Sequence, residues 1–167
     1  MNEILIIRQP KTRKEFESMY DLRWSILRKP WNQPKGSEKD ELESDAYPFI
    51  AIFQNQIVGT ARFHKSNESF GQIQYVAVEE PFRRKGIGAK LLEAIHLTAM
   101  NQLLKFTILN ANETAWPFFE KMGYKAIEDG PSLFGELKHK KMIRRFSRND
   151  LKMQKIMKNL RNTLLPE

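Results

Sequence analysis

Arg83-Arg84-Lys85-Gly86-Ile87-Gly88 gathers three cations and two glycines within one short stretch. It follows the apolar run Tyr75–Val78 and precedes an amphipathic run, so it reads as the loop between a strand and the start of a helix. Such a loop makes an anion site. Backbone amides converge on phosphate oxygens, the helix dipole adds favourable charge, and glycine lets the backbone come close. The three cationic side chains beside it suit a diphosphate. The spacing is not that of a Walker loop, since no Gly-Lys-Ser/Thr follows, nor GxGxxG, since nothing supplies the third glycine. A turn that only needs flexible residues has the same local composition, so the surrounding elements decide.

Those elements are legible from periodicity. Glu3–Arg8 reads as a strand ended by Pro10, and Thr12 with Glu15 as a capping box that opens a helix from Arg13 to about Arg28. A polar connection over 31–47 carries Glu38, Asp40, Glu41, Glu43 and Asp45. Phe49–Phe53, Ile57–His64 and Gln72–Val78 form an antiparallel meander. The pattern then changes to a helix from Gly86 to near Gln102, a strand Lys105–Leu109, a helix Thr114–Met122 stopped by Gly123, and strands at Tyr124–Ile127 and around Met142-Ile143. A helix over Asn149–Leu164 ends the chain. The order β-α-β-β-β-α-β-α-β-β-α predicts an α/β (α+β) fold: a mixed, mainly antiparallel sheet with helices on both faces, plus a C-terminal amphipathic helix.

Composition narrows the class. The chain has 167 residues and 19.7 kDa, room for one compact domain, with 41% hydrophobic and 29% charged residues. It lacks Cys, so there is no disulfide frame and no Cys zinc site, and no metal is expected. No apolar run approaches a membrane span and no secretory leader is visible, which predicts a cytoplasmic protein without membrane contact. The +8 net charge arises entirely in residues 138–167, where 10 basic groups face Asp150 and Glu167. Residues 1–146 therefore read as the domain and 147–167 as a basic helical extension.

With the strand and helix in place, Tyr75-Val76-Ala77-Val78 through Gly86-Ile87-Gly88-Ala89-Lys90-Leu91-Leu92 strongly resembles the cofactor-binding motif of the GNAT superfamily of acetyltransferases. Downstream, Leu109-Asn110-Ala111-Asn112 through Phe118-Phe119-Glu120-Lys121-Met122-Gly123-Tyr124 is similar to that family's second motif. The resemblance spans about residues 3–146. Leu22-Arg23-Trp24 with the Gly36–Glu43 stretch also resembles small bacterial members of unassigned substrate. It implies acetyl-CoA as co-substrate, bound where two neighbouring strands splay apart. Backbone groups of Val76 and Val78 would hold the pantetheine arm, and the Arg83, Arg84, Lys85, Gly86, Ile87, Gly88, Ala89 loop would hold the pyrophosphate. Asn112 would contact the pantetheine, with Phe118 and Phe119 packed beside it. A primary amine would attack the thioester directly, with backbone amides stabilising the oxyanion.

Two positions depart from the family's pattern. Phe119 stands where a Tyr often supplies the acid for the leaving thiolate, and Gln72 where some members carry a Glu base. The remaining catalytic candidates are Gln72 itself, which can hold a water, Tyr75 as a substitute acid, and His139 as a base of the type that titrates near neutral pH. Strict alternation puts Tyr75 opposite Val76, in the core. His64 ends a strand, and His96 falls just off an apolar helix face, at the boundary.

The acidic cluster from Glu38 to Asp45 has three readings: a wall that draws a cationic amine, a solvated helix start, or partners for Arg23 and Arg62. The tail predicts an apolar stripe of Met153, Ile156, Met157, Leu160 and Leu164, docked on the domain or in a homodimer, with a basic face that could meet nucleic acid. The leading expectation is thus an N-acetyltransferase. The alternatives are a non-catalytic acyl-CoA-binding module or a nucleic-acid-associated one.

Overall fold

The computed structural model describes residues 4–164. Its elements are β1 (Ile6–Arg8), α1 (Arg13–Leu27), β2 (Tyr47–Phe53), β3 (Gln56–Lys65), β4 (Phe70–Val78), α2 (Ile87–Asn101), β5 (Phe106–Asn112), α3 (Trp116–Lys121), β6 (Lys125–Asp129), β7 (His139–Arg145) and α4 (Arg148–Leu164). This is the element order read from the sequence; Glu3, placed in the first strand there, lies outside the described residues. The strands form a single sheet in the order β1-β2-β3-β4-β5-β7-β6. Every pairing is antiparallel except β4 with β5, and α2 supplies the crossover that a parallel pair requires. The last strand inserts between β5 and β6, a pairing that periodicity alone does not reveal.

Alternation along the strands sorts two faces. Phe49 and Ala51 of β2, Ala61 and Phe63 of β3, Ile73 of β4 and Leu109 of β5 join Leu91, Leu92 and Ile95 of α2 in the main core. Their neighbours Ile50, Thr60 and Arg62 point the other way, toward α1, whose buried face is Met19, Leu22 and Arg23. At the start of α1 the Thr12 hydroxyl accepts from the Glu15 amide at 3.2 Å, as expected of a cap. The Glu15 carboxylate reaches back to the Thr12 backbone as a capping box does, although this is the weakest of its contacts. Its main bonds come from the Lys11 amide at 2.6 Å and the forked Arg8 guanidinium at 2.7 and 2.9 Å, tying β1 to α1.

Two expectations are corrected. His96, expected at the boundary, is buried in the face of α2. Arg144 can only donate, so it donates to His96 Nδ1, His96 Nε2 donates to the Tyr124 hydroxyl at 2.7 Å, and Tyr124 donates to Thr107 Oγ1 at 2.7 Å. Burial first, and the Arg144 charge second, depress the His96 pKa to about 3. The partners arrive from β7, β5 and the start of β6, which is why helix periodicity misplaced the residue.

The second correction concerns α4, which does not dock its apolar stripe on its own domain. Met153, Ile156, Met157 and Leu160 remain between 43% and 56% exposed, and the side chain of Leu164 lies outside the described residues. The helix is held at its root, where Asp150 caps Ser147 and pairs with Arg144 at 2.8 Å, and by Gln154 donating to Asn101 of α2.

Candidate functional site

The parallel ladder between β4 and β5 runs from Phe70 opposite Phe106 to Ile73 opposite Leu109, and stops there. Both strands continue, to Val78 and Asn112, without pairing across the gap. The divergence starts at a bulge. Between Thr60 and Arg62 of β3 the partner positions jump from Ala77 to Gln74, and Tyr75 takes a φ of +55°. The bulge breaks the alternation assumed from sequence, so Tyr75 does not enter the main core. It turns into a cleft of about 660 Å³ lined by Gln72, Gln74, Tyr75, Val76, Asn112 and His139, among others.

At one end of the gap sits the cationic loop. Gly86 adopts φ +79° as the cap of α2, and Arg84 adopts φ +60°. None of the amides from Arg84 to Ala89 finds a backbone acceptor among the described residues, so they form a set of open donors at a helix N-terminus. Arg83, Arg84 and Lys85 are exposed and form no ion pair among the described residues, although Arg83 Nε donates to the Val78 carbonyl at 2.8 Å. One backbone group assigned by resemblance to the pantetheine arm is therefore already engaged. The Ile87 side chain is core, leaving only its amide to the loop. Gly88 has a different reason to be glycine than a positive φ: a Cβ there would lie 3.1 Å from Phe118 Cζ.

The opposite wall comes from β5 and α3. Asn112 Oδ1 accepts from Thr114 Oγ1 at 2.8 Å and from the Ala115 amide at 3.1 Å, so its oxygen is spent on the turn while its amide donors stay free. Phe119 is buried against Phe118 and Tyr124, with ring centroids 5.0 and 5.9 Å away, and brings no hydroxyl to the cleft.

His139 pairs with Asn112 at the start of β7. Its Nδ1 faces two carbonyls, Pro131 at 3.1 Å and Leu137 at 3.0 Å, which fixes the proton on Nδ1 and leaves Nε2 with a free lone pair. Gly130 makes the close approach possible, since a Cβ there would meet His139 Cβ at 3.1 Å and Asn110 Oδ1 at 3.2 Å. The Gln72 side chain lines the same cleft and makes no hydrogen bond among the described residues. His64, on β3 opposite Gln72, has a buried Nδ1 without a partner and does not line the cleft. Burial, reinforced by the Arg62 charge, lowers its pKa.

The acidic segment is resolved in favour of the arginines. Asp40 accepts from both Arg62 terminal nitrogens at 2.6 and 2.7 Å, and Glu43 bridges Arg62 at 2.5 Å and Arg23 at 3.0 Å. Both guanidinium groups are completely buried, and each has its carbon 4.7 Å from the Tyr75 ring centroid. That ring contact partly compensates the nitrogens of Arg23 and the Nε of Arg62 that lack acceptors. The Tyr75 hydroxyl donates to Asp40 at 3.3 Å, and burial, then the Asp40 charge, raises its pKa. Asp40 itself is held below the usual carboxylate range by its bonds to Arg62. A larger surface groove of about 780 Å³ runs between α1 and the β2–β3 turn, but it is lined by groups such as Arg8 and Glu15 that already pair with each other.

Comparison with known proteins decides the family. The sequence profile described as Acetyltransferase (GNAT) family matches residues 16–124. The chain belongs to the GNAT acetyltransferase family. It is an N-acetyltransferase on that ground. Among relatives, the uncharacterized N-acetyltransferase YjcF of Bacillus subtilis (strain 168) is 25% identical over 134 residues, covering 80% of this chain and 95% of its own. Among solved structures, an aminoglycoside 6'-N-acetyltransferase complexed with coenzyme A aligns with a TM-score of 0.73 at 16% identity, over 86% of this chain and 98% of that one. A GNAT family acetyltransferase from Elizabethkingia anophelis with acetyl-CoA bound gives a TM-score of 0.70 at 18% identity, over 85% and 98%. The mixed sheet with helices on both faces is thus the GNAT fold.

Sequence reasoning missed Arg28, Trp31, Gly130 and Phe134. No motif marks them, because they meet only when the β6–β7 connection folds back over the end of α1.

Proposed function

We propose that this GNAT chain moves an acetyl group from acetyl-CoA to a primary amine by direct attack in a ternary complex. The observation that carries the reading is the unpaired gap between β4 and β5, which ends at the open amides of Arg84 to Ala89. An extended diphosphate ligand fits this shape: a strand-like slot for the arm and a helix N-terminus with three free cations for the phosphates. The neighbours with coenzyme A and acetyl-CoA bound support it. Val76, Asn112 and Phe118 would hold the arm, and Arg83, Arg84, Lys85 and the amides of the loop through Ala89 would hold the pyrophosphate. Acetyl-CoA supplies the activated acyl group as a thioester.

The chain's own residues then manage the proton. His139 Nε2 takes a proton from the acceptor ammonium, directly or through a water held by Gln72. The free amine nitrogen forms the C–N bond as the C–S bond breaks, and the electron pair leaves with the thiolate. The proton that the acylated nitrogen sheds, passed through water, protonates the thiolate to CoA thiol, so that the proton taken by His139 is the one released to solvent. Tyr75 has its hydroxyl on Asp40 and positions the wall of the cleft.

A second reading has a specific observation behind it: Phe119 brings no acid and Gln72 no carboxylate, as in a module that binds acyl-CoA without turnover. Calorimetry with CoA and thiol release over an amine panel separate the two. The enzyme reading expects CoA binding in the wild type and in His139→Ala, with kcat/KM falling about a hundredfold in the variant and its acid limb disappearing. Binding without thiol release on any amine establishes the module, and full activity in His139→Ala removes His139 as base.

A further inference from the structure

The cleft is lined by two cations, Arg28 and the exposed Lys138, that no carboxylate neutralises among the described residues, and of the two Arg28 is the one held in place. Arg28 ends α1, and its guanidinium is fixed from three directions. Nε donates to the Ser37 carbonyl at 2.9 Å, and Nη1 to the Leu27 carbonyl at 3.1 Å. The guanidinium carbon lies 5.4 Å from the ring centroids of both Tyr75 and Phe134. Among the described residues Nη2 has no acceptor and Arg28 forms no ion pair. This differs from Arg23 and Arg62 next to it, whose charges Asp40 and Glu43 already match.

The surroundings specify what it would meet. Phe134 reaches Arg28 from the β6–β7 connection, where Leu133 and Leu137 exchange backbone hydrogen bonds of 3.0 and 2.9 Å around a tight turn. Phe134 takes φ +54° there, a costly conformation for an aromatic residue, and its ring stacks on Trp31 at 6.1 Å and 26°. The same connection supplies both carbonyls that orient His139, so Arg28 and the candidate base border one cleft. Glu113, Glu136 and Lys138 also line it without ion pairs among the described residues, so the free charges have both signs. A polyamine would leave Arg28 unmatched and repelled, whereas a zwitterion satisfies both.

We infer that the acceptor is an amino acid, its carboxylate bound by Arg28 and its apolar or aromatic side chain set against Trp31 and Phe134, which presents its amine toward His139. The inference rests on the acetyl-transfer reading above and adds the substrate class. Guanidinium recognises carboxylate through paired donors, a geometry that lysine does not reproduce.

The test uses the full-length protein, acetyl-CoA, and phenylalanine and tryptophan beside their primary amides and the corresponding decarboxylated amines. The amide's amine is less basic than the acid's, so free-base chemistry alone favours the amide and works against the proposal. The expected result is a kcat/KM at least tenfold higher for the acids, carried by KM. That acid-to-amide ratio should collapse toward one in Arg28→Met and be only partly restored in Arg28→Lys, with melting curves verifying that both variants fold. Equal or better use of amides or amines by the wild type overturns the inference, as does an equal loss on acids and amides in Arg28→Met. If no member releases thiol, the acids are titrated into the CoA complex by calorimetry. Heat that is absent in Arg28→Met supports the carboxylate site, and no heat from any acid overturns it. Failure of CoA itself to bind would instead overturn the acetyl-transfer reading.

Discussion

The two ends of the cleft handle charge in opposite ways. The loop from Arg83 to Lys85 leaves its cations in solvent, unpaired, beside amides with no acceptor. The cluster beneath Tyr75 buries Arg23 and Arg62 and matches them one for one with Asp40 and Glu43. Open donors held by local backbone geometry keep their partner outside the molecule. Buried cations must find counter-charges inside, because an unpaired buried charge costs several kcal/mol. The loop therefore keeps donors open to a ligand, as the proposed function requires, while the cluster holds shape, although both are arginine-rich and sequence composition does not tell them apart.

The contrast is broken most severely at Arg62. Arg62→Met leaves Asp40 and Glu43 facing a buried wall with one cation between them, so stability should fall by about 3–5 kcal/mol, read from denaturant or thermal melts. Arg84→Met, in the open loop, should leave the melt unchanged. Equal melting of the two variants would erase the distinction between the ends.

Acid sharpens the same distinction. His96 is neutral when folded, with a pKa near 3 against an ordinary value of 6.5, because burial and Arg144 disfavour its charge. The depressed value means that its contribution is complete above pH 6.5 and shrinks as pH falls from there toward 3, since only the unfolded chain gains the proton. The loss should be about 1 kcal/mol by pH 5.5 and grow to several kcal/mol near pH 3. Asp40, also depressed, adds its loss below the usual carboxylate range as pH falls through its lowered value. A stability curve flat between pH 7 and 4 would show that His96 charges in place.

At the open end the effect should be on affinity. In Gly88→Val the new side chain displaces the Phe118 ring, which sits 3.1 Å from the Cβ position, and crowds the open amides to which the pyrophosphate is assigned in the proposal. CoA binding should weaken at least tenfold, about 1.4 kcal/mol, with the fold retained. Unchanged calorimetric affinity in the folded variant would remove the loop from the cofactor site.

How much of this was legible in the sequence follows the same line. The loop's conformation is legible because it lies in consecutive residues: Gly86 takes φ +79°, α2 begins one residue later, and both facts are local. The element order was legible for the same reason. What failed needed long-range partners. Tyr75 was placed in the core by strict alternation, and the bulge inverted it. Helix periodicity places His96 at the boundary because its partners Thr107, Tyr124 and Arg144 come from later in the chain. Arg28 carried no signal, since its role appears only when Phe134 arrives from more than a hundred residues away.

The smallest effect belongs to α4, where the expectation from sequence and the structure diverge. Five apolar positions at helical spacing predicted a docked helix whose removal costs several kcal/mol. The structure leaves Met153, Ile156, Met157 and Leu160 about half exposed, so within one chain that burial energy is not realised. Ending the chain at Phe146 would remove the Asp150–Arg144 pair, whose side chains are 23% and 21% exposed, and the Gln154–Asn101 contact. A single partly exposed ion pair contributes about 0.2–1 kcal/mol, and the truncated protein should lose no more than that in a melt, with CoA affinity intact. A loss of several kcal/mol, together with a halved mass in solution, would mean that the stripe is covered by a second copy, as the sequence pattern suggested. An unchanged mass with the small loss confirms a helix anchored only at its root.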